Sequence, residues 1–578
     1  MIADMGKDIA TEDPEVARKL SEDADDSSND VDQGEVHASE GTRKVEAMTS
    51  TWSKTQLWAT FAMIYVLSFL DNLMESTDTT WTQYVTSNLG EHPLLTTVQT
   101  LSTIVGGVVA LPIAKIINVW GRPEALTLLL LLEIIGLVIK AATTNIYEYA
   151  AGKTIFWCGH VGMTYIITVF LSDMTSMNRR ALMLGINSTP SIATTFAGPS
   201  MANAYLGHGG WQWGYGTWAI IMPVVIAPIA IMMFWNDHKA KKEGRYVRDV
   251  SGRTTWQSIN HYFWEFDVIG AILITAGFVL LLLPMTLAGG SGKEWQTGHI
   301  IAMIVVGGVL LIVFALYEYF LAPIQYLPWR FLRSWTVVSA CVAYFAMFIS
   351  TFCWDGYFYS YLMVVNYQSA SSAGYILNSY SLSTAVFSPI VGIIIERTGR
   401  YKWLSIIAIP LEALGTGLLV YFRRPGTNDV GYLVMCQIFI GAGGAVISIC
   451  TDIAMMAMVP HEDVATVLAF QHVFGSIGSA MGSTISGAIW TNLMPGKIRK
   501  YLPDNLKDQW QEIYGDMTKQ TSYPKGSAAR DGIIQAYGDV QRILCITGVC
   551  FVPLIFVTMA FWKNVNLRKV KQTAGNVF

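Results

Sequence analysis

Apolar residues fall into fourteen long runs along the chain, and short polar segments separate most runs from the next. A helix needs roughly 17–25 apolar residues to cross a hydrocarbon layer about 30 Å thick. The runs are too long for barrel strands, and a helix satisfies its own backbone polar groups inside lipid. The predicted membrane-spanning helices are 57–74, 96–117, 124–142, 153–172, 181–204, 216–235, 267–287, 300–321, 336–358, 373–395, 403–421, 432–457, 465–490 and 541–562.

Composition supports an all-α, polytopic membrane protein. Of the 578 residues, 52% are hydrophobic and only 14% are charged, whereas about a quarter of the residues in a soluble domain are charged. The seven cysteines all lie in apolar runs, so neither a disulfide framework nor a metal motif is predicted. We therefore expect a membrane protein rather than an enzyme or a nucleic-acid-binding protein.

The second half of the chain repeats part of the first at a nearly constant distance. The paired positions are Gly121 with Gly399, Arg122 with Arg400, Glu133 with Glu412 and Asp173 with Asp452, at offsets of 278 residues for the first two pairs and 279 for the last two. Acids inside apolar runs are costly in lipid, so their duplication indicates a duplicated transporter. Alignment of the copies leaves spans seven and eight as an insertion, which predicts a 6+2+6 arrangement.

This arrangement predicts six segments and an orientation. The segments are a disordered acidic cytosolic tail (1–55), a first six-helix bundle (56–235), a cytosolic loop (236–266), two inserted helices (267–321), a second six-helix bundle (322–562) with an exterior loop (491–540), and a basic cytosolic tail (563–578). Fourteen spans place both termini on one side of the membrane, and the short loops on that side carry 15 Lys and Arg. Those on the other side carry 5, namely Lys140, Lys153, Lys293, Arg423 and Arg424. This bias places both termini in the cytosol.

Residues 389–402 contain the pattern G-x-x-x-E-R-x-G-R-x-K, which resembles the cytosolic-loop signature of the major facilitator superfamily. In the first copy Asn118 replaces the acid found at Glu396. The contact between neighbouring helix ends that this acid makes with arginine is therefore expected to be weaker in the first copy. The alternative is an ordinary basic loop after each span. The cytosolic gate candidates are Asn118, Gly121, Arg122, Asp173, Arg179, Arg180, Glu396, Arg397, Gly399, Arg400 and Asp452. The two aspartates are expected to form salt bridges with Arg179, Arg180 or Arg400.

Acids inside spans or at their ends are candidates for binding coupling protons. Asp71 and Glu75 are four residues apart, hence on one helix face, near the predicted exterior end of span one. Asp355 lies near the exterior end of span nine, and Glu133 and Glu412 lie near the middle of spans three and eleven. The alternatives are acids that cap helix ends, for the first three, and a shared structural role for the last two.

Polar and aromatic residues inside spans are candidates for a substrate cavity, namely His160, Tyr357, Tyr359, Tyr361, Gln471 and His472. Histidine titrates near neutral pH and can relay a proton or hydrogen-bond a ligand, although a core histidine more often simply packs against a neighbour. The loop 491–540 is rich in aromatic residues, including Tyr514, Tyr523 and Tyr537, and is expected to be structured.

Several stretches are specific enough to indicate one subfamily. They include His92-Pro-Leu-Leu-Thr, Trp213-Gly-Tyr-Gly-Thr-Trp, Phe266-Asp-Val-Ile-Gly, Ser522-Tyr-Pro-Lys-Gly-Ser and Ala536-Tyr-Gly-Asp-Val-Gln-Arg. In these stretches, which extend over residues 55 to 570, the chain resembles the fungal siderophore–iron transporters of the major facilitator superfamily. The resemblance implies import of ferric siderophores, of hydroxamate type, together with protons. It also implies iron carried only as its chelate, no cofactor, and a monomer in the plasma membrane or a vesicle membrane.

An alternative is proton-coupled efflux or exchange of a drug or glutathione by the same fold. Gly185 and Gly198-Pro199 resemble the glycine motif of proton-coupled drug antiporters, but Thr194 and Ala202-Asn203 stand where that motif has glycines. The incomplete motif counts against efflux. A third possibility, a receptor that senses the chelate, would be supported by a long cytosolic domain, whereas the predicted cytosolic segments are short.

Overall fold

The computed structural model describes residues 44–45, 47, 52–88, 95–244, 254–288, 294–325, 329–426 and 429–570, and these residues contain helices and no strand. The helices up to the middle of the chain are α1 Lys54–Asn88, α2 Leu95–Val119, α3 Arg122–Ala142, α4 Ile146–Asp173, α5 Met177–Asn187, α6 Pro190–His208, α7 Gly210–Lys242, α8 Thr255–Glu265, α9 Val268–Leu287 and α10 Gly298–Phe320. Those that follow are α11 Trp329–Leu332, α12 Trp335–Asp355, α13 Phe358–Val364, α14 Ala370–Leu377, α15 Ser379–Thr398, α16 Lys402–Phe422, α17 Val430–Met456, α18 Val464–Tyr501, α19 Trp510–Gly515, α20 Met517–Ser522, α21 Ala528–Val549 and α22 Val552–Ala560.

The predicted all-α, membrane-spanning fold is confirmed. Within the described ranges, twelve helices are long and apolar enough to cross a membrane, and a thirteenth is reached if α8 and α9, bent by 44°, form one span. The predicted fifth span is divided between α5 and α6 by a break at Ser188 and Thr189. The count of fourteen spans and the 6+2+6 order remain predictions.

The predicted inserted helices, α9 and α10, pack against each other, and α9 also contacts α2 of the first half and α18 of the second. One face of α10 is apolar and open, since Val305, Val309 and Ile312 are each more than half exposed. An apolar face of this kind suits contact with lipid. The pair therefore lies against the seam between the two halves.

Both copies of the repeat contain a turn that requires glycine. Gly121 has φ +114° just before α3, and Gly399 has φ +68° just after α15, a region that residues with a side chain rarely adopt. After Gly121, Pro123 and Glu124 occupy the first turn of α3, where proline fits and an acid complements the helix dipole. We call this end of the helices the Gly-Arg end, and the opposite end, which carries residues 502–527, the loop end.

Several segments differ from their predicted bounds. Helix α1 continues past residue 74 to Asn88 because its polar continuation is buried against protein; Trp81 is fully buried and its Nε1 donates to the Ala202 carbonyl at 3.1 Å. The extension of α18 to Tyr501 and the start of α21 at residue 528 shorten the predicted loop 491–540 to residues 502–527. Of the predicted tail 1–55, residues 1–43 lie outside the described residues, whereas Lys44 and Trp52 are buried.

Candidate functional site

Four ionisable side chains from three helices meet in the first half, and we call them the Asp71 cluster: Asp71 and Glu75 from α1, Glu133 from α3 and His160 from α4. Nδ1 of His160 lies 3.0 Å from Oδ1 of Asp71, and Nε2 lies 3.9 Å from Oε2 of Glu75. Thr164 donates to the second oxygen of Asp71 at 3.4 Å. The imidazole thus lies between two carboxylates, which is the arrangement that passes a proton from one to the other.

Glu133 is the unpaired member of the cluster. Its side chain is fully buried, and neither carboxylate oxygen has a hydrogen-bond partner in the described residues. A Cβ at Gly159 would lie 2.6 Å from Cγ of Glu133, so glycine is what allows α4 to approach α3 here. Burial of an unpaired ionised carboxylate is costly, whereas a neutral acid costs far less. The cluster is therefore suited to hold an additional proton.

A metal ion suits this cluster less well. Among the described residues, Asp71, Glu133 and His160 are the one set of three such donors whose atoms all lie within 4.8 Å of one another. Both oxygens of Asp71 and Nδ1 of His160 are already engaged in hydrogen bonds. Glu133 is the member whose two oxygens both lack a hydrogen-bond partner among the described residues, and protonation satisfies it without a change in the other contacts.

The position of these acids differs from the prediction. Asp71 and Glu75 lie in the middle of α1 rather than near an end, because α1 is longer than its apolar run. The Glu75 side chain is 43% exposed, whereas those of Asp71 and His160 are 5% and 7% exposed, and Glu133 is fully buried. The structure therefore brings together four candidates that the sequence placed in three separate spans, with Glu75 as the member open to the surroundings.

A second buried charged group lies toward the loop end, and we call it the lysine triad: Asp78, Lys140 and Lys153, all at most 3% exposed. The ammonium groups of the two lysines donate to the two different oxygens of Asp78, and the Tyr215 hydroxyl adds a hydrogen bond of 2.9 Å. The Lys140 ammonium also lies 4.1 Å from the centre of the Tyr215 ring, a favourable cation–π contact.

The prediction that Lys140 and Lys153 lie in exterior loops is wrong. Helix α4 begins at residue 146 and includes Lys153, and both long side chains reach inward to Asp78. Sequence reasoning did not single out Asp78, although Asp71, Glu75 and Asp78 follow the i, i+4, i+7 spacing that puts residues on one helix face. That spacing is the signal that would have found it.

The second half contains different charged groups. Glu412 is buried with one oxygen unpaired, and Asp355 is half-buried and interacts electrostatically with Arg423. Nη1 of Arg423 donates to the Trp354 carbonyl and, at 2.8 Å, to Oε1 of Gln541. Arg423 lies in the connection between α16 and α17, as predicted, but its side chain is fully buried. Glu412 and Asp355 lie on α16 and α12, outside the three helices that form the Asp71 cluster.

At the Gly-Arg end, Arg122 and Asp173 form a buried ion pair. Nε and Nη2 of Arg122 donate to the two oxygens of Asp173 at 3.0 and 3.3 Å, and both side chains are at most 3% exposed. His461, from the second half, lies 3.4 Å from Asp173. The pair therefore joins the start of α3 to the end of α4 and also contacts the other half of the fold.

Two further gate candidates link the halves. Nε of Arg179 lies 3.2 Å from Oε1 of Glu396, and the neighbouring Asn178 donates to the Glu396 carbonyl at 3.2 Å. Asn118 donates to Thr466 at 3.2 Å. The first copy therefore makes a neutral hydrogen bond across the seam where the second copy makes an ion pair.

The expected salt bridges of the two gate aspartates are wrong. Asp173 pairs with Arg122 and Asp452 accepts from Gln471, rather than from Arg179, Arg180 or Arg400. Arg180 is turned inward, where it donates to the carbonyls of Ser172 and Thr175. Arg397 and Arg400 are exposed. Helix α4 ends beside the start of α3, which makes Arg122 the nearest cation to Asp173.

Segments near both chain ends hold the Gly-Arg turns. Beside the first turn, Nζ of Lys44 lies 2.6 Å from Oε1 of Glu124. At the second, the backbone N–H of Leu567 donates to the Gly399 carbonyl at 2.9 Å, and Arg568 donates to a carbonyl in the last turn of α15. The short 3₁₀ helix at residues 567–569 also contacts α5 of the first half, so it touches both sides of the gate.

Two cavity candidates on α18 contact other helices. Nε2 of Gln471 donates to Asp452 of α17 at 2.7 Å. The His472 ring lies edge-on to Tyr165 of α4, with ring centres 5.7 Å apart, and the Tyr165 hydroxyl donates to the Ala465 carbonyl. These contacts tie α4 of the first half to α18 of the second.

The three tyrosine candidates lie in an apolar core at the loop end. The Tyr357 ring stacks on Trp490 with ring centres 4.0 Å apart, and Tyr359 and Tyr361 are buried in the same core. Residues of the 502–527 segment and of α21 complete this core. The three rings therefore join α13 to the loop.

Gln520 organises the loop end. Its side chain is 2% exposed, its Oε1 accepts from the Tyr537 hydroxyl at 2.7 Å, and its carbonyl accepts from Arg530. Tyr514 and Tyr523 pack on the same core. Burial raises the pKa of the Tyr514 hydroxyl to about 12, so this group stays protonated at physiological pH. The loop is thus a folded cap on the second half.

Comparison with known proteins identifies relatives along the full length. Residues 58–366 and 343–495 match the Major Facilitator Superfamily. MFS siderochrome iron transporter 1 of Ajellomyces capsulatus is 40% identical over 100% of this chain and 99% of its own length. MFS siderochrome iron transporter D of Aspergillus fumigatus is 38% identical over 95% and 92%, and siderophore iron transporter mirB of Emericella nidulans is 36% identical over 96% and 92%.

Solved structures share the fold at low sequence identity. A variant of the peptide transporter POT bound to alafosfalin aligns with a TM-score of 0.53 at 14% identity, covering 90% of this chain and 99% of its own. A bacterial homologue of the human lysosomal transporter Spinster, inward-facing and unoccupied, aligns with a TM-score of 0.52 at 13% identity, covering 88% and 98%.

Proposed function

The chain belongs to the major facilitator superfamily and, within it, to the fungal siderophore–iron transporters, and on that premise we propose that it imports ferric siderophore complexes, of hydroxamate type, together with protons. The observation that carries the substrate class is the 40% identity to a siderochrome iron transporter over the whole of both chains. Iron travels as its chelate, whose oxygen donors already occupy the metal, so the protein needs no iron ligands of its own.

The Asp71 cluster supports proton coupling. Glu75 is the exposed member and takes up a proton first, His160 passes it on, and Asp71 and Glu133 hold it within the bundle. Neutralising the unpaired acid removes the cost of a buried charge. The protonated first half is then free to repack against the second half, which is the step that alternating access requires.

The Gly-Arg end supplies the inner gate of this scheme. Opening there separates Arg179 from Glu396, Asp173 from His461 and Tyr165 from α18. We place both termini and this gate in the cytosol, because short loops on that side carry most of the Lys and Arg. The working unit is a monomer in the plasma membrane.

The substrate is tested by uptake in a yeast strain that lacks its own siderophore carriers. Cells expressing the protein are given ferrichrome, ferrioxamine B or a ferric catecholate, each labelled with radioactive iron. We expect accumulation of a hydroxamate complex and none of the catecholate. Failure to accumulate any chelate, with resistance to toxic compounds gained instead, would favour the efflux alternative and refute the proposal.

Proton coupling is tested separately, with variants that keep shape and remove charge. Asp71→Asn and Glu133→Gln are expected to abolish accumulation driven by an imposed pH gradient in vesicles, while both proteins remain in the membrane. Exposed Glu512→Gln, in the loop-end segment, serves as the matched acid-to-amide control and keeps wild-type uptake. Wild-type accumulation by the Asp71 and Glu133 variants would remove the cluster from the mechanism.

A further inference from the structure

Three helices of the first half each place two ionisable side chains seven residues apart, so that six groups form two tiers. The lower tier is Asp71, Glu133 and His160, and the upper tier is the lysine triad, Asp78, Lys140 and Lys153. Seven residues are two helical turns, or about 10.5 Å, and they return a side chain to the same face. Each of α1, α3 and α4 therefore contributes one group to each tier.

The tiers carry opposite excess charge. The lower tier has two acids and one histidine, whereas the upper tier has one acid and two lysines. In the upper tier, Asp78 accepts from both lysines and from Tyr215. One lysine charge is therefore left uncompensated among buried groups, where charge is expensive. Glu75 projects from α1 between the tiers.

We propose that the lysine triad acts on the Asp71 cluster through its charge: its one excess positive charge determines how tightly the cluster binds its proton. The proposal rests on the proton coupling proposed above and names groups that do not themselves exchange the proton. Mutual ion pairing fixes the triad: each oxygen of Asp78 holds one ammonium group, and the Lys140 ammonium lies between the rings of Tyr215 and Phe156. The triad is therefore held in one position relative to the lower tier.

The charged and titratable groups around the cluster come from few elements. Besides the six residues of the tiers, α1 contributes Glu75, α4 contributes Tyr149, and α7 contributes Tyr215, whose hydroxyl lies 3.2 Å from that of Tyr149. Among charged and titratable groups, helix α2 carries only Lys115, and helix α6 carries Tyr205 and His208, all in the last turns of their helices. On α18, His472 reaches α4 through Tyr165. The lysine triad is therefore the main fixed charge near the cluster.

The test measures the pH midpoint of ferric hydroxamate uptake in charge variants of the upper tier. Removing a positive charge makes the cluster bind its proton more tightly, so Lys153→Gln and Lys140→Gln move the midpoint to higher pH. Removing the negative charge in Asp78→Asn moves it to lower pH. With an effective dielectric constant near 20 and a separation of about 10 Å, each shift is about one pH unit.

Two controls make the result independent of folding. Lys153→Arg keeps the charge and is expected to keep the wild-type midpoint. The double variant Asp78→Asn/Lys140→Gln removes one charge of each sign and is also expected to leave the midpoint in place, which tests the idea even where Asp78→Asn alone does not reach the membrane. Opposite shifts in the single variants and none in these two would support the proposal.

Shifts in the same direction, or none, would overturn the proposed role of the triad while leaving proton coupling intact. Glu133→Gln distinguishes the two failures. If uptake by Glu133→Gln retains the wild-type pH dependence, the proposed proton site itself is wrong, and the role of the triad falls with it. If Glu133→Gln loses that dependence, but the single variants of the triad shift the pH midpoint in the same direction or not at all, only the triad's role is refuted.

Discussion

The buried ion pair between Arg122 and Asp173 allows a quantitative test of what holds the Gly-Arg end together. At 3.0 Å and an effective dielectric constant near 20, the Coulomb attraction is about 5.5 kcal/mol. Replacing Arg122 by leucine leaves Asp173 buried without its hydrogen-bonded partner, with His461 at 3.4 Å and the buried Arg180 as the remaining basic neighbours. Breaking a buried pair from one side costs about 3–5 kcal/mol, so we expect Arg122→Leu to lower the free energy of unfolding by that amount.

The chain offers a matched control in a second ion pair. Lys497 and Asp539 approach to 2.6 Å, closer than the first pair, but their side chains are 32% and 41% exposed. Exposed pairs contribute about 0–1 kcal/mol, so Lys497→Leu is expected to cost little. The double variant Arg122→Leu/Asp173→Leu is expected to recover most of the loss, since an apolar pair replaces two buried charges.

The assay is unfolding of the purified protein by titration with sodium dodecyl sulfate in mild detergent micelles, followed by tryptophan fluorescence. Arg122→Leu should move the midpoint well below wild type, and Lys497→Leu should not. Similar losses for the two single variants would refute the argument that burial, rather than distance, sets the strength of these pairs. Failure of the double variant to recover would show that Arg122 acts through contacts other than Asp173.

Three further predictions concern backbone and packing. Gly399→Ala places a side chain at φ +68° and is expected to cost about 1–2 kcal/mol in the same titration; an unchanged midpoint would contradict this. Gly159→Leu is expected to force α3 and α4 apart and abolish the monodisperse peak in size-exclusion chromatography, whereas Gly417→Leu, with open space at its Cβ, is expected to keep it. Gln520→Ala is expected to speed proteolysis of residues 502–527, because the Tyr537 hydroxyl loses its acceptor and the Ile513 carbonyl loses its donor. Exposed Gln509→Ala is expected to leave the rate unchanged.

Much of the fold follows from one physical constraint. Apolar runs of membrane length mark helices, because lipid offers no partner for backbone polar groups, and the internal repeat located both glycine turns at one end. The constraint fails where a helix is buried by protein instead of lipid. Helix α1 continues through Glu75 and Asp78 because those polar side chains face other helices, and hydropathy cannot distinguish that case from a loop.

The candidate site was predictable in its residues but not in its contacts. An acid inside an apolar run indicates a functional or paired side chain, which singled out Asp71, Glu133 and His160 separately. That they meet depends on how α1, α3 and α4 pack, and no local pattern encodes that packing. The lysines were misplaced for the same reason: a long side chain near a helix end can point to water or inward, and only the presence of Asp78 across the bundle decides between them.

The two tiers lie entirely on α1, α3 and α4, and the second half has no matching set at the repeated positions. Under the proposed proton coupling, the two halves therefore have different tasks: the first half binds the proton, and the second half carries the folded cap over the loop end. Hybrid proteins that combine the first half of one relative with the second half of another would separate the properties of the two halves. In such hybrids, the proposed pH response would follow the first half, whichever second half it is combined with.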